Sequence, residues 1–296
     1  MAYDITMIGH ICKDTLYDMG DVSEALGGAV YYSSIAAARS GKQVHVITMA
    51  TSEDDSLLDV IRLEGVTVTR IPSPRTTQIT LRYESPDRER REVILDAQAD
   101  PFQIENFHTP ESRVFHLAGL FKGEIPDNFI SFLAEKGEVA LDVQGVLRCS
   151  ENGTLIFKEW ERAAELLPFI KYLKTDAAEA YILTGLHDRK EAARTLAGMG
   201  AQEVMITHNE EVLVCAEGNL YTAPFNPDNL SGRTGRGDTT FAAYLAKRLD
   251  ADPEEALYHA AALCSIKMET PGPFKGNLSD VLTRMGQLGY QAKTNH

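Results

Sequence analysis

Short apolar runs alternate with amphipathic stretches along most of the chain. Residues 4–9 read as a first strand, and an apolar, small-residue helix follows over about 29–39 and stops at Gly41. Residues 44–48 read as the next strand. Four more apolar runs, at 114–120, 139–143, 172–175 and 204–207, are interleaved with helical patterns near 126–135, 159–167, 177–183 and 190–199. Short apolar strands each followed by a helix predict a doubly wound, mostly parallel α/β sheet with helices on both faces.

Two places break that rhythm. Residues 79–84 and 92–97 alternate apolar with polar and flank a highly charged turn, which predicts a hairpin with one wet face. A second hairpin is predicted at 212–215 and 220–223, followed by three helices near 238–249, 253–268 and 278–286. No repeat or linker divides the chain, so a single α/β domain over 1–296 is expected, carrying a β excursion near 76–98 of the kind that covers active sites.

Composition narrows the classes. With 43 acidic against 29 basic residues the formal charge is −14, which disfavours nucleic acid and anionic membrane surfaces. The four cysteines, Cys12, Cys149, Cys215 and Cys264, are scattered and form no metal or disulfide pattern. The first residues lack a signal-peptide pattern and no apolar stretch approaches a membrane span, so a cytoplasmic protein is expected. The eight histidines show no metal-ligand spacing; His116 reads as a satisfied, partly buried residue and Trp160 as helix core. The charged run Arg88 to Arg91 reads as a solvated hairpin tip.

The stretch Gly232-Arg-Thr-Gly235-Arg-Gly237-Asp238-Thr239 carries chemistry. Its glycines permit tight backbone conformations and a helix-period run begins directly after them. Asp238 therefore falls at a helix N-terminus, where unpaired amides and the helix dipole attract negative charge. An N-cap carboxylate on a glycine turn would look the same locally. The chemical reading is that one turn supplies both an anion pocket and a carboxylate, the two parts phosphoryl transfer needs. No Gly-x-x-x-x-Gly-Lys-Ser/Thr loop is present, and Gly198-Met-Gly200-Ala-Gln-Glu203 fails the last position of the dinucleotide fingerprint.

This stretch resembles the C-terminal signature of the ribokinase (PfkB) family of carbohydrate kinases, Asp-Thr-x-Gly-Ala-Gly-Asp followed by a helix. Three further segments resemble the family in the same order: Asp14 after the first strand, Gly27-Gly28 before the first helix, and Asp176-Ala-Ala-Glu179 in place of Asn-x-x-Glu. The resemblance implies a ribokinase-like fold with a small β lid from about 12–28 and 76–98. It implies Asp238 as catalytic base and the amides of Gly235, Arg236 and Gly237 as the anion hole. Asp14, Gly27 and Gly28 would hold substrate, Glu179 with Asp176 would organise Mg²⁺ through water, and Thr207, Asn209 and Thr234 would meet the nucleotide.

The departures matter. The family's opening Asp, which helps bind a monovalent cation in several members, is Gly232 here, leaving potassium dependence open. The Ala between the two glycines is Arg236, and an aromatic, Tyr31 or Tyr32, replaces the Asn near the Gly-Gly helix. The segment Asp142-Val-Gln144-Gly-Val-Leu-Arg148 lies at the carboxyl end of a central strand, where open α/β sheets bind ligands. It resembles the inositol-kinase-like members, as does Gly27-Gly-Ala-Val-Tyr-Tyr. The expected activity is ATP- and Mg²⁺-dependent phosphorylation of a hydroxyl on a small sugar or cyclitol, myo-inositol-like. A nucleoside kinase of the same fold and a non-catalytic sensor are the alternatives. An alternating lid strand with an unpaired edge leaves room for a homodimer through the lid.

Overall fold

The computed structural model describes residues 2–83 and 91–291, so the charged tip with Arg88 and Arg90 lies outside the described residues. The chain opens with β1 (Tyr3–Ile8), leaves it for the hairpin β2 (Cys12–Asp18) and β3 (Asp21–Gly27), and returns through helix Ala29–Arg39 to β4 (Val44–Ala50) and β5 (Thr67–Pro72). A second excursion, β6 (Thr77–Tyr83) and β7 (Arg91–Ala97), precedes β8 (Ser112–Leu117) and β9 (Glu138–Asp142). Then come the short hairpin β10 (Arg148–Glu151) and β11 (Thr154–Phe157), the strands β12 (Tyr172–Asp176) and β13 (Glu203–Thr207), and the hairpin β14 (Glu211–Ala216) and β15 (Asn219–Pro224).

These strands form two sheets. The larger runs β15-β14-β13-β12-β9-β8-β1-β4-β5 and is parallel from β13 to β5, with the antiparallel β14–β15 hairpin on its edge. The doubly wound, mostly parallel sheet expected from the sequence is what the chain forms. The smaller sheet runs β10-β11-β7-β6-β2-β3 and contains the segments expected to form the lid.

The central strands are buried on both faces, which is why they read as unbroken apolar runs. Their side chains still alternate: Met7 and Val46 join one core while Ile8 and Ile47 join the other. Helices Ala29–Arg39, Arg236–Arg248 and Pro253–Met268 cover the first face; Asn128–Ala134 and Arg189–Gly198 cover the second. Helix Ala29–Arg39 is buried from Ala29 to Ala37, consistent with its lack of a polar stripe.

Some expectations change. The smaller sheet takes in more than the 12–28 and 76–98 segments, because β10–β11 extends it. Asn152-Gly153, both at positive φ, was the hairpin signal for that strand pair. The pattern over 159–167 yields only a helical turn at Ala163–Leu166, and Trp160 is buried ahead of it, donating Nε1–H to Asp127 at 3.1 Å. His116 is not a satisfied residue: it is fully buried with neither ring nitrogen bonded, stacked edge-on against Phe241. Burial, then the nearby Lys174 ammonium, lowers its pKa to about 3, so it is neutral. Among the described residues no helix is long and apolar enough to cross a membrane.

Candidate active site

The carboxyl ends of β1, β9, β12 and β13 meet the start of helix Arg236–Arg248 under the lid. Gly235 caps that helix at φ 77, and a Cβ there would lie 2.3 Å from the Tyr32 ring, so both backbone and neighbour require glycine. The turn after it brings Arg236, Gly237 and Asp238 into the first helical turn, with the Gly237 and Asp238 amides free of backbone acceptors and the Arg236 amide on the Arg233 carbonyl at 3.3 Å. Ser33 donates its hydroxyl to the Asp238 carbonyl at 3.2 Å, tying this turn to helix Ala29–Arg39.

Two cavities flank the turn. The larger, about 480 Å³, is lined by Asp238, Gly235, Arg236, Gly237, Lys174 and Arg233, with Asp176, Thr207, Asn209 and Thr234 along the wall. The smaller, about 290 Å³, lies toward the lid and holds Asp14, Asp18, Ser23, Tyr31 and Tyr32. Tyr83, Ser231, Arg233 and Thr234 border both. The geometry therefore presents two chambers joined at one rim, the larger with the cations and amides that a phosphoryl donor calls for (the donor chamber) and the smaller with carboxylates and hydroxyls that an acceptor alcohol calls for (the acceptor chamber).

The Asp238 carboxylate is half-buried and has no hydrogen-bond partner among the described residues. Burial, then the Asp142 carboxylate, raises its pKa, while Lys174, Arg148 and Lys267 oppose the rise. A carboxylate raised in this way is a stronger base than an exposed one and stays reachable from the cavity.

Asp14 sits over the Gly27 backbone; a Cβ at Gly27 would fall 2.1 Å from its Oδ2. That contact explains the small residue in Gly27-Gly28 and fixes where the Asp14 carboxylate faces. Tyr32 lies within the fields of both Asp14 and Asp238, and with burial leading, its hydroxyl is held neutral.

Lys174 is the residue that sequence reasoning passed over. It is buried at the end of β12 and donates to both Asp142 oxygens at 2.9 and 3.1 Å. A Cβ on Gly237 would sit 3.2 Å from its ammonium, so the charge rests directly against the anion turn. Burial alone would lower the Lys174 pKa; Asp142, Glu179, Asp238 and Asp176 outweigh it and hold the ammonium charged. A lysine directly after the apolar pair Tyr172-Leu173 in a central strand was the available signal. Asp142 is consequently only 1% exposed and serves Lys174 instead of lining either cavity.

The other expected residues are placed as follows. Arg148 donates Nε–H to the Leu120 carbonyl at 2.8 Å, stacks over Phe121 and reaches Gln144, and only Gln144 of that pair lines the donor chamber. Thr207 is buried at the end of β13, and Asn209 accepts from Arg236 at 3.1 Å. Gly28 caps helix Ala29–Arg39 and lines neither cavity.

Asp176 and Glu179 form a reciprocal capping box at 2.8 Å, Asp176 on the chamber wall and Glu179 buried behind it. Burial raises the Glu179 pKa against the pull of Lys174, with Asp142 and Asp176 adding to the rise. Among the described residues no three His, Cys, Asp or Glu side chains are grouped to ligate a metal directly. This acid pair nevertheless fits Mg²⁺, which keeps most of its waters and takes one or two carboxylates plus phosphate oxygens.

Residues 1–278 match the pfkB family of carbohydrate kinases. This chain belongs to that family. Among solved structures, a pyrophosphate-dependent kinase in the ribokinase family, complexed with a pyrophosphate analogue and myo-inositol, is 36% identical. It superposes with a TM-score of 0.87 over 94% of this chain and 99% of its own. A pyrophosphate-dependent myo-inositol-1 kinase converted into a myo-inositol-3 kinase is 35% identical, with a TM-score of 0.85 over 97% and 100% of the two chains. A cytidine kinase from Thermococcus kodakarensis is 25% identical over 82% of this chain and 87% of that relative. This pfkB-family kinase is thus a phosphotransferase with a ribokinase-like fold, as the Gly235–Asp238 turn implied.

Proposed function

We propose that this kinase transfers a phosphoryl group from inorganic pyrophosphate to a ring hydroxyl of a cyclitol of the myo-inositol type. The lining of the donor chamber carries the proposal. Lys174, Arg233 and Arg236 face it together with Thr207, Asn209 and the 235–237 turn, while among the described residues Leu230 and Tyr83 are its only large apolar or aromatic lining. A purine calls for an apolar or aromatic slot, whereas a diphosphate calls for converging cations and amides. The Arg236–Asn209 bond also links the anion turn to the loop after β13. Relatives described as pyrophosphate-dependent support the same donor.

In this reading the acceptor hydroxyl lies between Asp14 and Asp238 with Tyr32 alongside. Asp238 accepts its proton as the oxygen attacks phosphorus, the bond from that phosphorus to the bridging oxygen breaks to release orthophosphate, and the 235–238 amides hold the transferring group. Lys174 and Arg236 balance its charge, and the lid excludes water that would otherwise take the phosphoryl group. Mg²⁺ held through water by Asp176 and Glu179 would neutralise donor charge when bound.

ATP, the donor expected from the sequence, is the second reading, favoured by a chamber of about 480 Å³ that a diphosphate does not fill. Product formation from myo-inositol, ribose and cytidine, each with pyrophosphate or ATP, tests both choices. Turnover with pyrophosphate and myo-inositol is expected to dominate. ATP turnover without pyrophosphate turnover would replace the proposed donor, and preference for ribose or cytidine would replace the acceptor.

A further inference from the structure

Beneath the phosphoryl turn lies a cation with no role in the steps above. Lys267, in the last turn of helix Pro253–Met268, is 1% exposed and donates its ammonium to the carbonyls of Gly232, at 2.6 Å, and Thr234. The ammonium also sits 5.1 Å from the centre of the Tyr32 ring. Among the described residues no carboxylate pairs with it. Position 232 cannot supply one, since a Cβ there would lie 1.9 Å from the Thr270 carbonyl oxygen. The Gly232 amide is bonded to the Met268 carbonyl at 2.8 Å, so the start of the turn is docked on the same helix end.

A buried cation without a counter-ion is costly unless something compensates it. Two carbonyls supply part of that compensation, and an anion bound on the far side of the turn would supply the rest. The peptide plane adds a directional effect. In a trans unit the N–H points opposite to the C=O, so carbonyls of residues 232 and 234 drawn toward Lys267 turn the amides of Arg233 and Gly235 away from it. Both residues line the donor chamber.

We infer that Lys267 is a positioning residue of this kinase: a built-in cation that orients the Arg233 and Gly235 amides and adds positive potential under the transferring phosphoryl group. The inference rests on the phosphoryl turn and is independent of whether the donor is pyrophosphate or ATP. The groups facing the ammonium are Tyr32 from helix Ala29–Arg39, Cys264 on its own helix, and Asp238 and Arg236 from helix Arg236–Arg248. Burial lowers the Lys267 pKa to about 8, Cys264 and Asp238 pulling upward and Arg236 adding to the fall. Its charge is therefore present below about pH 8 and withdrawn above it.

The test uses Lys267→Gln, which keeps two N–H donors without the charge, beside Lys267→Met, which keeps neither. Sulfate, whose charge is constant through neutral and mildly alkaline pH, serves as probe anion in calorimetry, and turnover is split into kcat and KM. Both variants are expected to melt no lower than wild type, to bind sulfate about tenfold more weakly and to lose about tenfold or more in kcat. Ammonium or potassium salts should restore part of the Lys267→Met loss by occupying the two carbonyls, without stimulating wild type. Wild-type sulfate affinity should fall as pH rises through about 8, and the variants should be flat. Wild-type turnover and sulfate affinity in a folded Lys267→Gln would overturn the inference. Should Lys267→Met not fold, the sulfate affinity and turnover of Lys267→Gln decide. Sulfate binding needs no substrate, so a wrong donor or acceptor assignment would leave this measurement interpretable.

Discussion

Replacing Asp238 with Asn removes the base with little change of shape. Asp238 lies in the first turn of helix Arg236–Arg248, where a negative charge contributes about 0.3–1 kcal/mol through the helix dipole. Against that loss, the substitution relieves a carboxylate that burial and Asp142 already push toward protonation. These two effects oppose each other, so the melting temperature should move by no more than about 2–4 °C. Anion binding should hold or tighten, because a carboxylate facing the donor chamber is removed while Lys174, Arg233 and Arg236 remain. Loss of a positioned base costs on the order of 10²–10⁴ in rate, or about 3–5 kcal/mol of barrier. The assay is single-turnover phosphoryl transfer to myo-inositol with saturating donor, alongside sulfate calorimetry and thermal melts. A folded, anion-binding Asp238→Asn with turnover within threefold of wild type would refute the assignment.

Lys174→Met should leave Asp142 buried and unpaired, destabilising the protein by about 3–5 kcal/mol. The double variant Lys174→Met with Asp142→Leu should recover most of that in denaturant titrations while remaining inactive. Glu179 has its pKa raised above the unfolded value of 4.5, so its stabilising contribution is present below that pH and drains away as pH rises through the folded pKa. Glu179→Gln should therefore melt higher than wild type near pH 8, match it near pH 4 and need more Mg²⁺ for half-maximal turnover; a lower melting point near pH 8 would contradict this. His45, His116 and His259 are buried and neutral, with pKa values lowered to about 4, 3 and 4. Stability they support above pH 6.5 should be lost as pH falls toward 4, on the order of 2–3 kcal/mol each, and His45→Asn melted from pH 7 to 4.5 should show a shallower decline than wild type.

Much of the fold was legible because burial on two faces leaves a plain trace. Strands such as Val44–Ala50 and Glu203–Thr207 are buried at every position, and their apolar runs follow directly. The lid was legible only where alternation was clean. β5 shows alternating burial yet carries Thr67, Thr69 and Arg70, too polar to stand out, and β10–β11 is short and joins the smaller sheet where Thr154 meets Ile94 of β7, far along the chain.

The sequence by itself determined the glycine turn, the carboxylate that ends it and the helix that follows, because all three are dictated locally by backbone freedom and periodicity. It also placed Gly27 and Asp176 at strand or helix ends, where an α/β sheet gathers its chemistry. Only the tertiary structure decided which charges act on that turn. Lys174 reaches Gly237 from 63 residues away and Lys267 reaches Gly232 from 35, while Asp142 is spent on Lys174. A charged side chain in a local pattern looks the same whether it faces water or a buried carbonyl. The crossing of strands and helices sets the distance, and distance with burial sets the strength of the field.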